Sequence, residues 1–555
     1  MAHKNGSALP MIPGAQALLR VFEEENVDVF FGYPGGSVIP IYDALYDAES
    51  VRGVLPRHEQ GAAHAADGYA RVTGKVGVCM ATSGPGACNL VTGLATAYMD
   101  SIPVVAITGQ VKTNLVGTDG FQEADVTGIT IPITKHNYLI KDPHEVERFP
   151  DILREAFYLA RSGRPGPVLV DIPFDVSAGP VPWVERNIEA LDGFEELAVP
   201  DGADIDRAAD MIEAAQRPVL LIGGGVVTAA AHAEILELAD RCNIAVVHTL
   251  MAKGCFPESH ELSMGMPGMH GMAYASYAIQ HSDLLVVIGA RFDDRITGDL
   301  TRFAPDAKVI HIDIDPAEID KVRTANIGIA ADAKTATRAL IQAVSARDRG
   351  AWEDDLLKFK LDHMLGYTDE DELMAPQLVV QKLHEVTGGK AIITTEVGQN
   401  QMWAAQYYPL DEPRKWCTSG GLGTMGYGHP AAIGAQFGRP DELVVDIAGD
   451  GSIQMNMQEL TTGTIHGLPY KIIILNNSFL GMVRQWQDMF FDKRYSGVDL
   501  TGNPDFVKLA EAHGAVGLRC GDRDKIVETL EQAMEVDDRP VWWTSRSPRS
   551  RTCSR

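Results

Sequence analysis

A chain of 555 residues, 45% apolar and 22% charged, has room for about three globular domains at roughly 100–200 residues each. A formal charge of −27 argues against nucleic acid or an anionic membrane as a partner. Seven cysteines without CxxC or metal-ligand spacing read as reduced thiols, no apolar run reaches the ~18 residues of a membrane span, and the start of the chain lacks the layout of a signal peptide, so the cytoplasm is the expected compartment.

In chain order, a first block over 12–176 alternates expected strands at 27–33, 53–56, 76–81, 104–108 and 167–172 with alanine-rich helices at 15–26, 60–73 and 87–100. A linker rich in Pro, Gly and acids covers 177–202. The second block, 203–346, opens with a helix at 205–215 and continues through strands at 218–223, 244–248, 284–288 and 309–314. A charged stretch at 347–372 leads to a third block, 375–541, with buried-strand patterns at 442–448 and 471–475 and an expected crossover helix at 454–466. Strands alternating with helices in this way predict an α/β fold of three doubly wound parallel sheets, with blocks one and three as weak duplicates.

Two motifs carry the first chemical signal. Gly449-Asp450-Gly451 and Asn476-Asn477 are separated by 24 residues, and each follows an expected strand, where open parallel sheets bind ligands. Asp450 and Asn477 offer hard oxygen ligands, and the flanking glycines let backbone approach a phosphate. That combination suits Mg²⁺ holding a diphosphate and resembles the thiamine-diphosphate motif. Glu59 opens an alanine-rich helix, where an acid normally favours the helix dipole. Beside Asp450 and Asn477 it becomes the candidate carboxylate for the cofactor's aminopyrimidine. Met482 and Trp486, four residues apart, fall on one helix face. The second block has Gly223-Gly224-Gly225 directly after a strand, Pro267-Gly268-Met269-His270-Gly271, the run Gly289 to Arg295, and Ile312-Asp313-Ile314-Asp315, but glycines after strands are alone weak signs of a nucleotide site.

A family resemblance then rests on Arg57-His58-Glu59-Gln60-Gly61-Ala62, Ala81-Thr82-Ser83-Gly84-Pro85-Gly86, Gly109-Gln110-Val111, Phe121-Gln122-Glu123-Ala124-Asp125, Gly163-Arg164-Pro165-Gly166-Pro167-Val168, Val397-Gly398-Gln399, Gln401-Met402-Trp403, Gly421-Leu422-Gly423-Thr424-Met425-Gly426 and Gly481-Met482-Val483-Arg484-Gln485-Trp486. In this order, over about residues 15–540, they resemble the catalytic subunits of the acetohydroxyacid (acetolactate) synthase family. The resemblance implies a pyrimidine-binding domain at 12–176, an FAD-binding domain at 203–346 and a diphosphate-binding domain at 375–541. It implies an enzyme that decarboxylates pyruvate and transfers the two-carbon unit to a second 2-ketoacid, giving 2-acetolactate or 2-aceto-2-hydroxybutyrate for branched-chain amino-acid synthesis. Its rivals are an FAD-dependent pyruvate oxidase and a catalytically impaired paralogue.

The implied cofactors are thiamine diphosphate, Mg²⁺ and FAD. By resemblance, Glu59 would serve the aminopyrimidine, and Val397, Gly398, Gln399, Asn400, Gly423, Met425, Gly449, Gly451, Ser452 and Met482 would hold the rest of the thiamine cofactor. Asp450, Asn477 and the Phe479 backbone carbonyl would ligate Mg²⁺. Gln110 would bond the reacting oxygens, Gly36 would bring backbone against them, and Phe121 and Gln122 would come from a facing subunit. Arg164, Gly224, Gly225, His270, Gly271, Arg291, Asp293, Arg295 and Asp313 would take FAD. Arg295 would also recognise the acceptor's carboxylate, beside Val483 and Trp486 in its pocket. Pyruvate and 2-ketobutyrate are the implied substrates, a homodimer or homotetramer the implied assembly, and a small regulatory subunit a further partner.

Three departures stand out. Asn400 replaces a usual His and is expected to donate to a diphosphate oxygen. Phe174 replaces a usual Lys. Residues 542–555, rich in Arg and Ser, suit neither a buried strand nor the acidic remainder, which suggests a reading frame lost just after Val541.

Overall fold

The computed structural model describes residues 9–186, 188, 190–191, 199–348, 350–367 and 374–547. Parts of the expected linkers (187, 189, 192–198, 349, 368–373) and residues 548–555 of the atypical tail lie outside the described residues. The chain divides into two compact units. The first comprises Met1–Glu195, Gly421–Asp441 and Asn456–Leu468, and the second Glu196–Gly420, Glu442–Met455 and Pro469–Arg555.

The first unit is built on strands β1 (Val29–Tyr33), β2 (Arg52–Val54), β3 (Gly77–Ala81), β4 (Val104–Gln110), β5 (His136–Leu139) and β6 (Val168–Pro173). They form one sheet, every pair parallel, in the order β2-β1-β3-β4-β6-β5. Strands β3, β4 and β6 are buried along their whole length, as expected for near-continuous apolar runs covered on both faces. The chain reverses its winding between β1 and β3, so the turns after these strands part and leave a crevice. The helix expected at 87–100 starts at Pro85, a residue suited to a first helical turn, and is broken at Leu90 into Pro85–Asn89 and Val91–Met99.

Helix α1 (Glu59–Thr73) crosses helix α2 (Gly428–Gly438) at backbone contact. A Cβ on Gly68 would stand 2.3 Å from the Ala431 carbonyl oxygen, and one on Gly434 would stand 1.8 Å from that of Ala65. Beside this crossing, buried Arg71 bonds Asp67 (2.6 Å) and Asp100 (2.8 Å). Tyr427 donates to Asp67 (2.6 Å), and Asp100 accepts the Gly421 N–H (2.7 Å). The expected crossover helix at 454–466 is interrupted: a 3₁₀ turn at Ser452–Met455 precedes helix α3 (Glu459–Ile465). Asn456, in the gap, donates its side-chain amide to the Gly426 carbonyl (2.6 Å).

The second unit holds two sheets. One has β7 (Pro218–Ile222), β8 (Ala245–His248), β9 (Leu284–Ile288), β10 (Lys308–Asp313) and β11 (Ile327–Ala330) in the order β8-β7-β9-β10-β11. The other has β12 (Ile392–Thr395), β13 (Trp416–Cys417), β14 (Val444–Gly449), β15 (Lys471–Asn476), β16 (Val516–Cys520) and β17 (Val541–Arg546) in the order β13-β12-β14-β15-β17-β16. This last order repeats that of the first unit's sheet, strand for strand. Strand β17 lies between β15 and β16, pairing Trp543 with Ile473 on one side and Leu518 on the other. Trp542 and Trp543 are fully buried, and the strand runs to Arg546, so 542–546 belong to the sheet although their composition argued against a buried strand. The two sheets share a core and a buried ion pair. Lys253 donates to both Glu258 oxygens (2.7 Å each) and to the Ala405 carbonyl (3.0 Å). Burial alone would raise the Glu258 carboxyl, but Lys253 and His248 hold it down at about 2.

Backbone contact at Gly434 leaves no space for a methyl group. Gly434→Ala is expected to cost about 1–3 kcal/mol through overpacking, read as a lower urea midpoint with an unchanged slope.

Candidate functional site

In the second unit the chain reverses between β12 and β14, and both strands end in the expected motifs. After β12 come Glu396, Val397 and Gly398, then a helix over Gln399–Tyr407; after β14 come Asp450, Gly451 and Ser452. Strand β15 ends beside β14, with Leu475 paired to Gly449, and delivers Asn477 to the same edge. Asp450 is buried, and the backbone N–H groups of Asn477 and Ser478 stand close enough to favour its charged form, so the split motif closes in space. Burial pushes the Asp450 carboxyl up to about 7, against these N–H groups and the Asn503 amide. Asn477 Oδ1 accepts the Phe479 N–H (3.0 Å), and its amide donates to Gln399 Oε1 (3.3 Å). Gln399 in turn donates to Gln485 (2.8 Å) on helix α4 (Gly481–Phe490). The Ser452 hydroxyl is buried with no hydrogen-bond partner among the described residues.

Asn400 departs from its expected role. Its amide donates both hydrogens to backbone carbonyls, of Glu396 and Ile447 (2.8 Å each), and so braces the end of β12 against β14. What it turns toward Gly398 and Gly449 is its carbonyl: a Cβ on either glycine would lie 2.8–2.9 Å from that oxygen.

Helix α4 carries Met482, Val483 and Trp486. Met482 packs against the core, Val483 is 49% exposed, and Gln485 is the only residue of the helix that is fully buried. The Arg295 guanidinium lies 5.2 Å from the Trp486 ring centroid, which joins two residues nominated for the acceptor. Nearby, Arg291 forms an ion pair with Asp293 (3.1 Å). Asp293 also caps a short helix by accepting the Arg295 N–H (2.9 Å). The His270 imidazole is held below its usual range by burial and by Arg295. Asp313 ends β10, its carboxylate accepting the Asp315 N–H (2.9 Å). Gly224 and Gly225 open the turn after β7, at the reversal point next to β9. A Cβ on Gly225 would stand 2.7 Å from the Gly289 Cα, and one on Gly271 would stand 2.2 Å from the Met266 carbonyl oxygen.

The first unit holds the remaining candidates. Glu59 is the first residue of α1, and its Oε2 accepts from the Asn89 amide (2.9 Å). The turn after β1 is tight at Gly35, where a Cβ would meet Thr82 at 2.6 Å, whereas Gly36 faces open space. Gln110 is committed: its amide donates to Asp171 (2.9 Å) and to the Ala124 carbonyl (3.0 Å), and its oxygen accepts the Val111 N–H (2.8 Å). Phe121 is 90% exposed, and Gln122 beside it has a left-handed backbone (φ 60°). Gly423 is left-handed too (φ 72°), in a segment that Thr424 ties to Thr96 (2.7 Å) and that carries Met425. Arg164 bonds the Ser101 hydroxyl (2.9 Å). Lys112 places its ammonium 5.8 Å from the Phe174 ring, bringing a cation to the position where Phe replaces the usual Lys.

Residues outside the expected set support the site. Asn503 donates to Asp450 Oδ2 (2.7 Å), and Gln454 bonds both the Asp450 carbonyl (2.7 Å) and Asn503 (2.9 Å). Asp171 anchors Gln110 and Thr108, and Glu459 accepts backbone N–H groups beside Glu59. Among the described residues no group of three His, Cys, Asp or Glu side chains could hold a metal ion. No helix among them is long and apolar enough to cross a membrane.

Burial pushes the Asp171 carboxyl up to about 7, despite bonds from Thr108 and Gln110. The folded chain therefore holds a proton there that the unfolded chain, titrating near ~3.9, has released. This contribution is complete below about pH 4 and is lost as pH rises through about 7. Asp171→Asn is expected to shrink the fall in melting temperature between roughly pH 5 and pH 8.

Three families of thiamine pyrophosphate enzyme domains match the chain in order: the N-terminal TPP binding domain over residues 12–129, the central domain over 205–340, and the C-terminal TPP binding domain over 396–542. The chain is 50% identical to the acetolactate synthase large subunit of Corynebacterium glutamicum over 552 residues, covering 98% of this chain and 88% of that protein. It is 49% identical to the probable acetolactate synthase large subunit of Methanocaldococcus jannaschii (94% and 90% covered). Against the acetolactate synthase isozyme 3 large subunit of Escherichia coli it is 44% identical (95% and 93% covered).

Proposed function

The chain belongs to the acetolactate synthase large-subunit family of thiamine pyrophosphate enzymes, and from that premise we propose that it is a 2-ketoacid carboligase. Pyruvate would lose CO₂, and the two-carbon remainder would join a second 2-ketoacid. Pyruvate as acceptor gives 2-acetolactate, and 2-ketobutyrate gives 2-aceto-2-hydroxybutyrate, both in branched-chain amino-acid synthesis. The observation that carries this reading is the closure of the split motif, with Asp450 and Asn477 brought to one edge by adjacent parallel strands that pair Gly449 with Leu475.

The oxygen set fits a hard cation. Asp450 and Asn477, with the Phe479 carbonyl, would hold Mg²⁺. The unpartnered Ser452 hydroxyl and the glycines at 398 and 449 would receive the diphosphate. Thiamine diphosphate, when bound, supplies the electron sink for decarboxylation and its own aminopyrimidine base. The chain's residues do the rest. Glu59, with one oxygen steadied by Asn89, would share a proton with the aminopyrimidine ring nitrogen. Arg295 would bind the acceptor's carboxylate, and Trp486 beneath it would form the apolar wall against which a larger acceptor packs. Gln110, with its amide spent on Asp171 and Ala124, would offer the reacting centre only its oxygen.

FAD would lie at the reversal point between β7 and β9. The strand order there is the flavodoxin-like one, which takes a nucleotide where winding reverses. The turns at 223–225 and 289–291 supply glycines and Arg291 at that edge. A homodimer or homotetramer, a small regulatory subunit and a cytoplasmic setting complete the proposal. The relatives reported above all carry the acetolactate synthase name, which lends the pyruvate-oxidase alternative no support.

The direct test is an acetolactate assay with thiamine diphosphate, Mg²⁺ and FAD omitted in turn. Product should vanish with each omission. Flavin reduction by pyruvate without acetolactate would sink the reading. Glu59→Gln should keep cofactor binding while slowing hydrogen exchange at the thiazolium C2 on the order of 100-fold or more. Asn503→Ala should free one Asp450 oxygen from its fixed orientation and weaken Mg²⁺ binding about 10-fold or more in a calorimetric titration at fixed thiamine diphosphate.

A further inference from the structure

Glu459 opens α3, and its side chain is 1% exposed. It sits against the turn Arg57–His58, which joins β2 to α1 and immediately precedes Glu59. Glu459 Oε1 accepts the backbone N–H of Arg57 (3.0 Å) and of His58 (2.9 Å). Oε2 accepts the Arg57 N–H as well (3.0 Å) and the Thr462 hydroxyl (2.8 Å). Gly61, in the first turn of α1, makes room for it: a Cβ there would stand 2.6 Å from Oε1. A carboxylate is costly to bury unless its oxygens are bonded, and here backbone donors of a single turn supply most of those bonds. Burial pushes the carboxyl up to about 7, and the N–H groups of Arg57 and His58 and the Thr462 hydroxyl pull it back.

We propose that Glu459 is the positioning residue of the aminopyrimidine site: its carboxylate clamps the Arg57–His58 turn and so fixes the backbone from which Glu59 projects. Asn89 steadies the far end of the Glu59 side chain, and Glu459 steadies its root. A carboxylate suits this task because both oxygens accept and neither donates, so two adjacent N–H groups and a hydroxyl are satisfied at once. Glutamine at 459 keeps the shape but loses one acceptor and turns an N–H toward a donor. The proposal rests on the thiamine chemistry assigned above, since a role in aiming Glu59 requires that Glu59 act on the cofactor.

The test is Glu459→Gln in the full-length protein with thiamine diphosphate, Mg²⁺ and FAD. Cofactor affinity by fluorescence titration should stay within about 2-fold and the KM for pyruvate should hold, while kcat and hydrogen exchange at the thiazolium C2 fall by on the order of 10- to 100-fold. Amide hydrogen exchange over residues 55–60 should accelerate in the cofactor-free protein with the melting transition intact. Unchanged C2 exchange in a folded variant overturns the proposal, as does an unchanged amide pattern. Should Glu459→Gln not fold, Thr462→Val decides, because it removes one donor and leaves the carboxylate. The same readouts moving in the same direction support the clamp, and no movement overturns it. If the wild-type protein takes up no thiamine diphosphate, the functional reading fails, while the amide-exchange arm still reports whether Glu459 holds the turn.

Discussion

The contact on which the first unit depends is the crossing of α1 and α2 without side chains between them. Gly68 and Gly434 bring each backbone against the carbonyls of the other helix, so neither can slide or rotate without collision. That fixed crossing bears on two groups of candidate site residues. At its start α1 carries Glu59. Along its flank Arg71, with Asp67 and Asp100, holds Tyr427 and Gly421, which frame the segment containing Gly423 and Met425. Burying an arginine between two aspartates is tolerable only when every charge is matched, and that requirement makes the arrangement specific.

The second unit solves a different problem, that of bringing hard oxygen groups together from segments far apart in the chain. Parallel strands place all their carboxyl ends on one edge, and a reversal of winding opens a gap there. Gly449, Asp450 and Asn477 reach that edge from adjacent strands, and Gln399 links Asn477 to α4. The repetition of one strand order in two sheets gives the first unit a crevice of its own, between β1 and β3, where the tight turn at Gly35 meets Thr82.

Much of this was legible because it is local. Apolar runs of five or six residues followed by glycine mark buried strands and their turns, and Leu284–Ile288 stands where its sequence puts it. The Gly-Asp-Gly and Asn-Asn motifs needed only the assumption that both strands share a sheet. Contacts between residues remote in sequence left no such trace. Asn503 reaches Asp450 across 53 positions and Glu459 reaches Arg57 across 402, and each looks like an ordinary polar residue in its own neighbourhood. The same holds for Asn400, whose amide is spent on the carbonyls of Glu396, just after β12, and Ile447, within β14. Trp542 and Trp543 show the converse. Composition argued against a buried strand, yet the backbone of β17 pairs with both β15 and β16, and its two indoles are buried.

The position of β17 has a consequence for how the chain is made. In its sheet the last strand in sequence is not an edge: it is inserted between β15 and β16. Until residue 546 has left the ribosome, β15 presents an open row of backbone donors and acceptors, and β16 has no neighbour at all. Both are then templates for pairing with another chain. This sheet cannot close as it emerges, and the yield of folded protein depends on whatever shields β15 during that interval.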